Sequence, residues 1–119
     1  MITDLAFTGT PVTDMQRARA FYEGLLGLKP TLESAGGAWV EYDLAAGTFG
    51  IGCYGEDWKP SPDGSAVAFE VDDLDAEVAR LKAKGVPVNM EVMDTPMCRF
   101  AIISDPDNNK IMLHKRKSR

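Results

Sequence analysis

This 119-residue chain predicts an α+β fold of two tandem β-α-β-β-β modules, and three observations carry the prediction. A strand, a capping aspartate and an amphipathic helix occur in that order twice. Each copy is followed by three strand-like runs, and the last two runs of each copy are joined by turn-forming residues.

Leu5 to Val12 reads as a strand. Asp14 then stands where a helix N-cap belongs, before apolar Met15, Ala18, Phe21 and Leu25 spaced by three and four, and Gly27 is the stop. The same phrase returns with Ala66 to Val71 as strand, Asp73 as cap, Leu74, Val78 and Leu81 as the apolar stripe and Gly85 as the stop. Asp75 and Glu77 in its first turn and Lys82 and Lys84 in its last suit the helix dipole. Superposing Val12-Thr-Asp-Met15 on Val71-Asp-Asp-Leu74 gives an offset of 59, close to half the chain, so an internal duplication is the economical reading. Lys29 to Leu32, Gly37 to Leu44 and Thr48 to Tyr54 complete the first copy; Val86 to Glu91, Arg99 to Ser104 and Asn109 to Lys115 complete the second.

Asp43 to Gly47 and Asp105-Pro-Asp-Asn-Asn109 have the chemistry of hairpin loops. Module one therefore covers about 4–55 and module two about 65–115 of a single domain, with the polar, Pro- and Gly-rich stretch 55–64 linking them over the surface. Trp58 in that linker is either a clamp folded onto the body or a lid residue, and burial of a large aromatic favours the clamp.

Composition narrows the function. The net charge is −5, but Lys115, Arg116, Lys117 and Arg119 sit in a basic tail, 115–119, which reads as a frayed, solvated end; residues 1–114 carry 9 basic and 18 acidic residues. So acidic a body repels phosphate backbones, which argues against nucleic acid as a partner. No run of eighteen apolar residues and no leader-like N-terminus is present, so no membrane association and a cytoplasmic address are expected. Cys53 and Cys98 read as reduced thiols. The glycine-rich Gly47-Thr-Phe-Gly50-Ile-Gly52 has the wrong spacing for a dinucleotide fingerprint.

The duplicated unit, with Val12-Thr-Asp-Met-Gln-Arg-Ala-Arg-Ala-Phe-Tyr-Glu-Gly-Leu-Leu-Gly-Leu28 in one half and Val71-Asp-Asp-Leu-Asp75, Lys84-Gly-Val, Asp94-Thr-Pro96 and Asp105-Pro-Asp-Asn-Asn-Lys-Ile111 in the other, resembles the vicinal oxygen chelate superfamily of glyoxalases, bleomycin resistance proteins and extradiol dioxygenases. The resemblance spans nearly the whole chain. It implies two side-by-side modules whose mixed sheets form a cup that holds the site, and a homodimer. The superfamily hosts isomerases, lyases, dioxygenases and drug-binding proteins, so fold alone does not choose among them.

In metal-dependent members that the chain resembles, His, Gln or Glu from the first and last strands of each module hold a divalent ion. The corresponding positions here are Phe7, Ala66, Met112 and Gly50, or Gly52 if the hairpin slips by one pair. These supply at most one thioether, which does not suit a hard or borderline cation, and no metal or other cofactor is expected. His114, Glu41 and Glu70 are the nearest donors for an atypical site, and strand alternation puts His114 and Glu70 on the cup face. The expected site is thus an apolar and aromatic pocket for a small organic molecule, with Phe7, Trp39, Gly50, Ala66 and Met112 as lining and Glu41, Glu70, Arg99 and His114 as directional contacts. Two alternatives stay open: a lyase or isomerase of a vicinal-oxygen substrate with Glu41 or Glu70 as base or with an atypical metal site, and a non-catalytic module whose cup is filled by its own side chains. The sequence does not decide whether the protein is an enzyme.

Overall fold

The structure is a computed structural model that describes residue 1 and residues 3–117. The chain forms two compact units, Met1–Pro60 and Ser61–Arg119, each with its own four-stranded mixed sheet.

In unit 1, strand β1 (Thr8–Pro11) leads through Asp14 into helix α1 (Met15–Arg19), followed by β2 (Leu32–Ser34), β3 (Trp39–Leu44) and β4 (Gly47–Gly52). The strand order is β1-β4-β3-β2, with β1 parallel to β4 and the other neighbours antiparallel. The Asp14 side chain accepts the Arg17 N–H at 3.0 Å, the expected cap. Beyond Arg19 the helix widens into a π-helical stretch, Ala20–Leu25, in which the Leu26 N–H reaches back five residues to the Phe21 carbonyl at 3.0 Å. Gly27 then turns the chain out of the helix at φ 77°. Strand β2 starts later than the expected Lys29, because Pro30 has no N–H to offer; the ladder opens with Thr31 N–H donating to the Glu41 carbonyl at 2.8 Å.

Alternation on the strands separates two faces. Val40, Tyr42, Phe49 and Ile51 are buried together with Val12, Ala18, Phe21 and Tyr22. Tyr22 and Phe49 meet with ring centroids 5.3 Å apart. The Tyr42 hydroxyl, which enters this core, donates to Glu23 at 2.8 Å, and Glu23 in turn accepts Arg19 Nε at 2.6 Å; Arg19 also pairs with Glu33. Burial and the adjacent Glu23 carboxylate hold the Tyr42 hydroxyl well above the ordinary phenol range.

Unit 2 repeats the plan with β5 (Val67–Glu70), helix α2 (Leu74–Ala83), β6 (Val88–Asp94), β7 (Cys98–Ser104) and β8 (Lys110–Arg116) in the order β5-β8-β7-β6. Asp73 caps α2 by accepting the Ala76 N–H at 3.1 Å. Leu74, Val78 and Leu81 are buried, as are Ala101, Ile103, Ile111 and Leu113 of the sheet. Gly85 ends the helix region at φ 86°. The 105–109 loop is held from within: the buried Asp105 carboxylate accepts the N–H groups of Asp107 (2.9 Å) and Asn109 (2.8 Å) and the Asn109 amide (2.8 Å).

The basic tail differs from the frayed end expected. Lys115 and Arg116 belong to β8, paired with Arg99 and Cys98, and Lys117 donates from its backbone to the Met97 carbonyl at 3.1 Å. The Lys117 ammonium reaches Asp94 at 2.7 Å and the Thr95 carbonyl at 2.6 Å. Like-charged side chains do not prevent strand pairing when alternate residues leave on opposite faces and acidic partners lie within reach. Ser118 and Arg119, the rest of that tail, lie outside the described residues.

Candidate functional site

In unit 1 the sheet face opposite the core is floored by glycine and roofed by aromatic rings. Register pairs Gly9 with Gly50, Trp39 with Gly52 and Glu41 with Gly50. Trp39 lies directly on Gly50: a Cβ built on that glycine would sit 2.3 Å from the indole. A Cβ on Gly52 would meet Tyr54 at 2.7 Å and Trp58 at 2.8 Å. Only residues without a side chain allow the rings so close to the sheet, so the Gly-Ile-Gly phrase of β4 has a steric purpose rather than a phosphate-binding one.

The rings form a continuous row. Phe7 meets Trp39 edge-on at 5.0 Å, Trp39 and Trp58 lie at 6.4 Å with planes 30° apart, and Trp58 and Tyr54 lie at 6.4 Å with planes 34° apart. Phe7 and Tyr54 remain exposed, at 48% and 41%. Together with Ser34 these four rings line a shallow groove of about 490 Å³. The Trp39 N–H donates to Glu41 at 2.7 Å, which fixes the indole in its plane and leaves an aromatic face free of that donor. Exposed rings joined in one patch are unusual on a surface that function does not require.

In unit 2 the equivalent face is polar at one end. Register pairs Ala68 with Met112, Glu70 with His114, Phe100 with His114 and Ile102 with Met112. All six lie on the side of the sheet away from α2, because the residues between them on β7 and β8 are the buried ones. Glu70 approaches His114 Nδ1 at 2.5 Å and accepts the Arg116 N–H at 2.6 Å with its other oxygen. Those two hydrogen bonds, the Arg116 one first, hold the Glu70 carboxyl below the usual carboxylate range.

The structure therefore brings Phe7, Trp39, Glu41 and Gly50 together in unit 1, and Glu70, Met112 and His114 together in unit 2. Ala66 precedes β5 and is exposed. Arg99 does not join the His114 face. It alternates with Cys98 and Phe100 along β7 and forks onto Asp75 of α2 at 2.9 and 3.0 Å, a bidentate pair that directs it to the helix side. Asp75 is held below its ordinary range chiefly by that Arg99 hydrogen bond. A second hollow of about 580 Å³ lies beside α2, lined by Asp75, Val78, Ala79, Lys82, Ala83, Glu91 and Val92, and none of the expected ligand contacts is among these residues.

Ser34, Tyr54, Trp58 and Arg116 are not among the expected site residues, although Trp58 is expected to fold onto the body as a clamp. Tyr54 was legible in principle, since glycine at two alternate positions of one strand leaves a strip that neighbouring rings can cover. Arg116 acts through its backbone N–H, which no side-chain pattern announces.

The donors required for the divalent ion of the resembled enzymes do not fit. Phe7, Ala66, Gly50 and Met112, the residues that the resemblance assigns to those positions, offer no imidazole or carboxylate, and among the described residues no group of three or more His, Cys, Asp or Glu is placed to hold a metal. Likewise, among the described residues no helix is long and apolar enough to cross a membrane.

Comparison with known proteins agrees with the duplicated fold. The chain is 40% identical over 92 residues to "Putative glyoxylase CFP32" of Mycobacterium bovis and of Mycobacterium tuberculosis, an alignment that covers 75% of this chain and 35% of theirs. The chain thus spans about a third of the length of these curated relatives. Among solved structures it is similar to TnmS3, an antibiotic binding protein from Streptomyces sp. CB03234, with a TM-score of 0.79, 28% identity and 98% of both chains covered. A glyoxalase family protein structure from Bacillus anthracis shares the fold at a TM-score of 0.80 and 20% identity, with 98% of both chains covered. The family profile described as Glyoxalase/Bleomycin resistance protein/Dioxygenase superfamily matches residues 5–113, and the chain belongs to that superfamily.

Proposed function

We propose that this protein is a metal-independent binder of a flat, ring-containing organic molecule, which stacks on the aromatic row of unit 1. The observation that carries the proposal is the row itself: Trp39 seated on Gly50 and flanked by Phe7, Trp58 and Tyr54, around an open groove. Stacking on exposed rings is tolerant of ligand chemistry and needs only a few polar contacts for orientation. Glu41 stands at the edge of the row as such a contact, although one of its oxygens already holds Trp39. The similarity to an antibiotic binding protein supports the same reading.

A base role for Glu41 or Glu70 finds less support. Glu41 accepts the indole N–H, and both oxygens of Glu70 carry a hydrogen bond that favours the ionised form. The reading includes a cytoplasmic address and a homodimer, and light scattering of the purified chain tests the homodimer.

The binding experiment is a titration with three planar probes of different charge: 1-naphthol, anthracene-2-carboxylate and proflavine. At least one is expected to quench tryptophan emission and to raise the melting temperature, by the equivalent of about 2.7 kcal/mol at one hundred times its dissociation constant. Trp39→Ala removes both effects. Absence of quenching by all three probes overturns the proposal.

A further inference from the structure

We infer that His114, oriented by Glu70, is a proton acceptor on the sheet face of unit 2, suited to a weakly acidic O–H group such as a phenol or an enol. The argument starts from Glu70. Its two oxygens are occupied by the Arg116 N–H at 2.6 Å and by His114 Nδ1 at 2.5 Å. An ionised carboxylate only accepts hydrogen bonds, so the proton between the two side chains belongs to Nδ1. A neutral imidazole with its proton on Nδ1 carries its lone pair on Nε2.

The surroundings suit a ring-bearing acid. His114 is 22% exposed at its side chain, and the cross-strand neighbour on β7 is Phe100. Met112, Ile102 and Ala68 continue the face as apolar surface. The charged and titratable groups nearby are Glu70 from β5, Arg116 two residues along β8 and the Cys98 thiol paired with Arg116 on β7; Lys115 and Arg99 leave on the opposite face. In the proposed step the ligand O–H bond breaks, its proton passes to Nε2 and its electron pair stays on oxygen, leaving an oxyanion beside an imidazolium. Nothing is oxidised or reduced. Glu70 is a positioning residue, since it acts through His114.

The test uses p-nitrophenol, whose ionised form absorbs visible light and whose neutral form does not. At a pH where the free phenol is mostly neutral, the protein is expected to raise the phenolate absorbance. His114→Gln is expected to abolish the rise. Glu70→Gln is expected to weaken it without abolishing it, because the imidazole is then no longer held in one orientation.

His114 is the single histidine of the chain, so its imidazole nitrogen signals are unambiguous by NMR. The protonated Nδ1 tautomer is expected in the native chain and a mixture in Glu70→Gln, a readout that a merely structural pair would not couple to phenol ionisation. Equal phenolate signal in His114→Gln, or a proton found on Nε2 of the neutral imidazole in the ligand-free chain, overturns the inference. The Trp39→Ala variant separates the two sites: a signal that survives in His114→Gln and vanishes in Trp39→Ala belongs to the aromatic row and counts against His114.

Discussion

At Gly50 one hydrogen atom is all that separates the sheet from an indole. Gly50→Ala places a methyl group 2.3 Å from Trp39, and backbone on a central strand cannot yield, so the ring must leave the sheet. The expected outcome is a shift in tryptophan emission, loss of stacking ligands and a stability loss of about 1–3 kcal/mol, the usual range for overpacking. Denaturant unfolding and fluorescence of the same sample check both. Glu70 gives the pH prediction. Its carboxyl is held low by the Arg116 N–H and by His114, so its contribution to stability is present above the ordinary carboxylate range and is lost as pH falls through the lowered value. The stability gap between the native chain and Glu70→Gln should be open at neutral pH and close on acidification. A gap that does not change with pH would contradict the ionised pair.

Elements here owe their limits to single residues. Asp73 satisfies an otherwise unpaired N–H at the start of α2, and Asp73→Ala should cost about 1 kcal/mol. Gly85 sits at φ 86°, where a side chain is strained, so Gly85→Ala should cost about 1 kcal/mol as well. Urea titrations monitored by circular dichroism measure each change. The caps, the helices and the hairpin loops were legible because these signals are local. Strand starts were not, since pairing begins where the partner strand offers register: β1 opens at Thr8 opposite Phe49 and not at Leu5, which is 79% exposed. The π-helical stretch also escaped, because Met15, Ala18, Phe21 and Leu25 suit an ordinary helix equally well.

At the scale of the whole molecule, two cores of one design stand in one chain. Phe49 and Tyr22 anchor the first; Leu81 and Ile111 anchor the second. Truncation in either, Phe49→Ala or Leu81→Ala, is expected to cost about 2–5 kcal/mol, read as a lower urea midpoint. Hydrogen exchange should then lose protection first in the unit that carries the change. The duplication and the α+β class were determined by sequence, because repeats and caps are properties of the chain itself. So was the pairing of face with face along each strand, which put Trp39 with Glu41 and Met112 with His114. Only the tertiary structure decided where those faces lead. Arg99 turns to Asp75 on a helix that begins 25 residues before it in the chain, Tyr54 and Trp58 fold back over Gly52, and Glu70 meets His114 from 44 residues away. Contacts of that kind arise from strand register and loop path, and neither is written in any local stretch of residues.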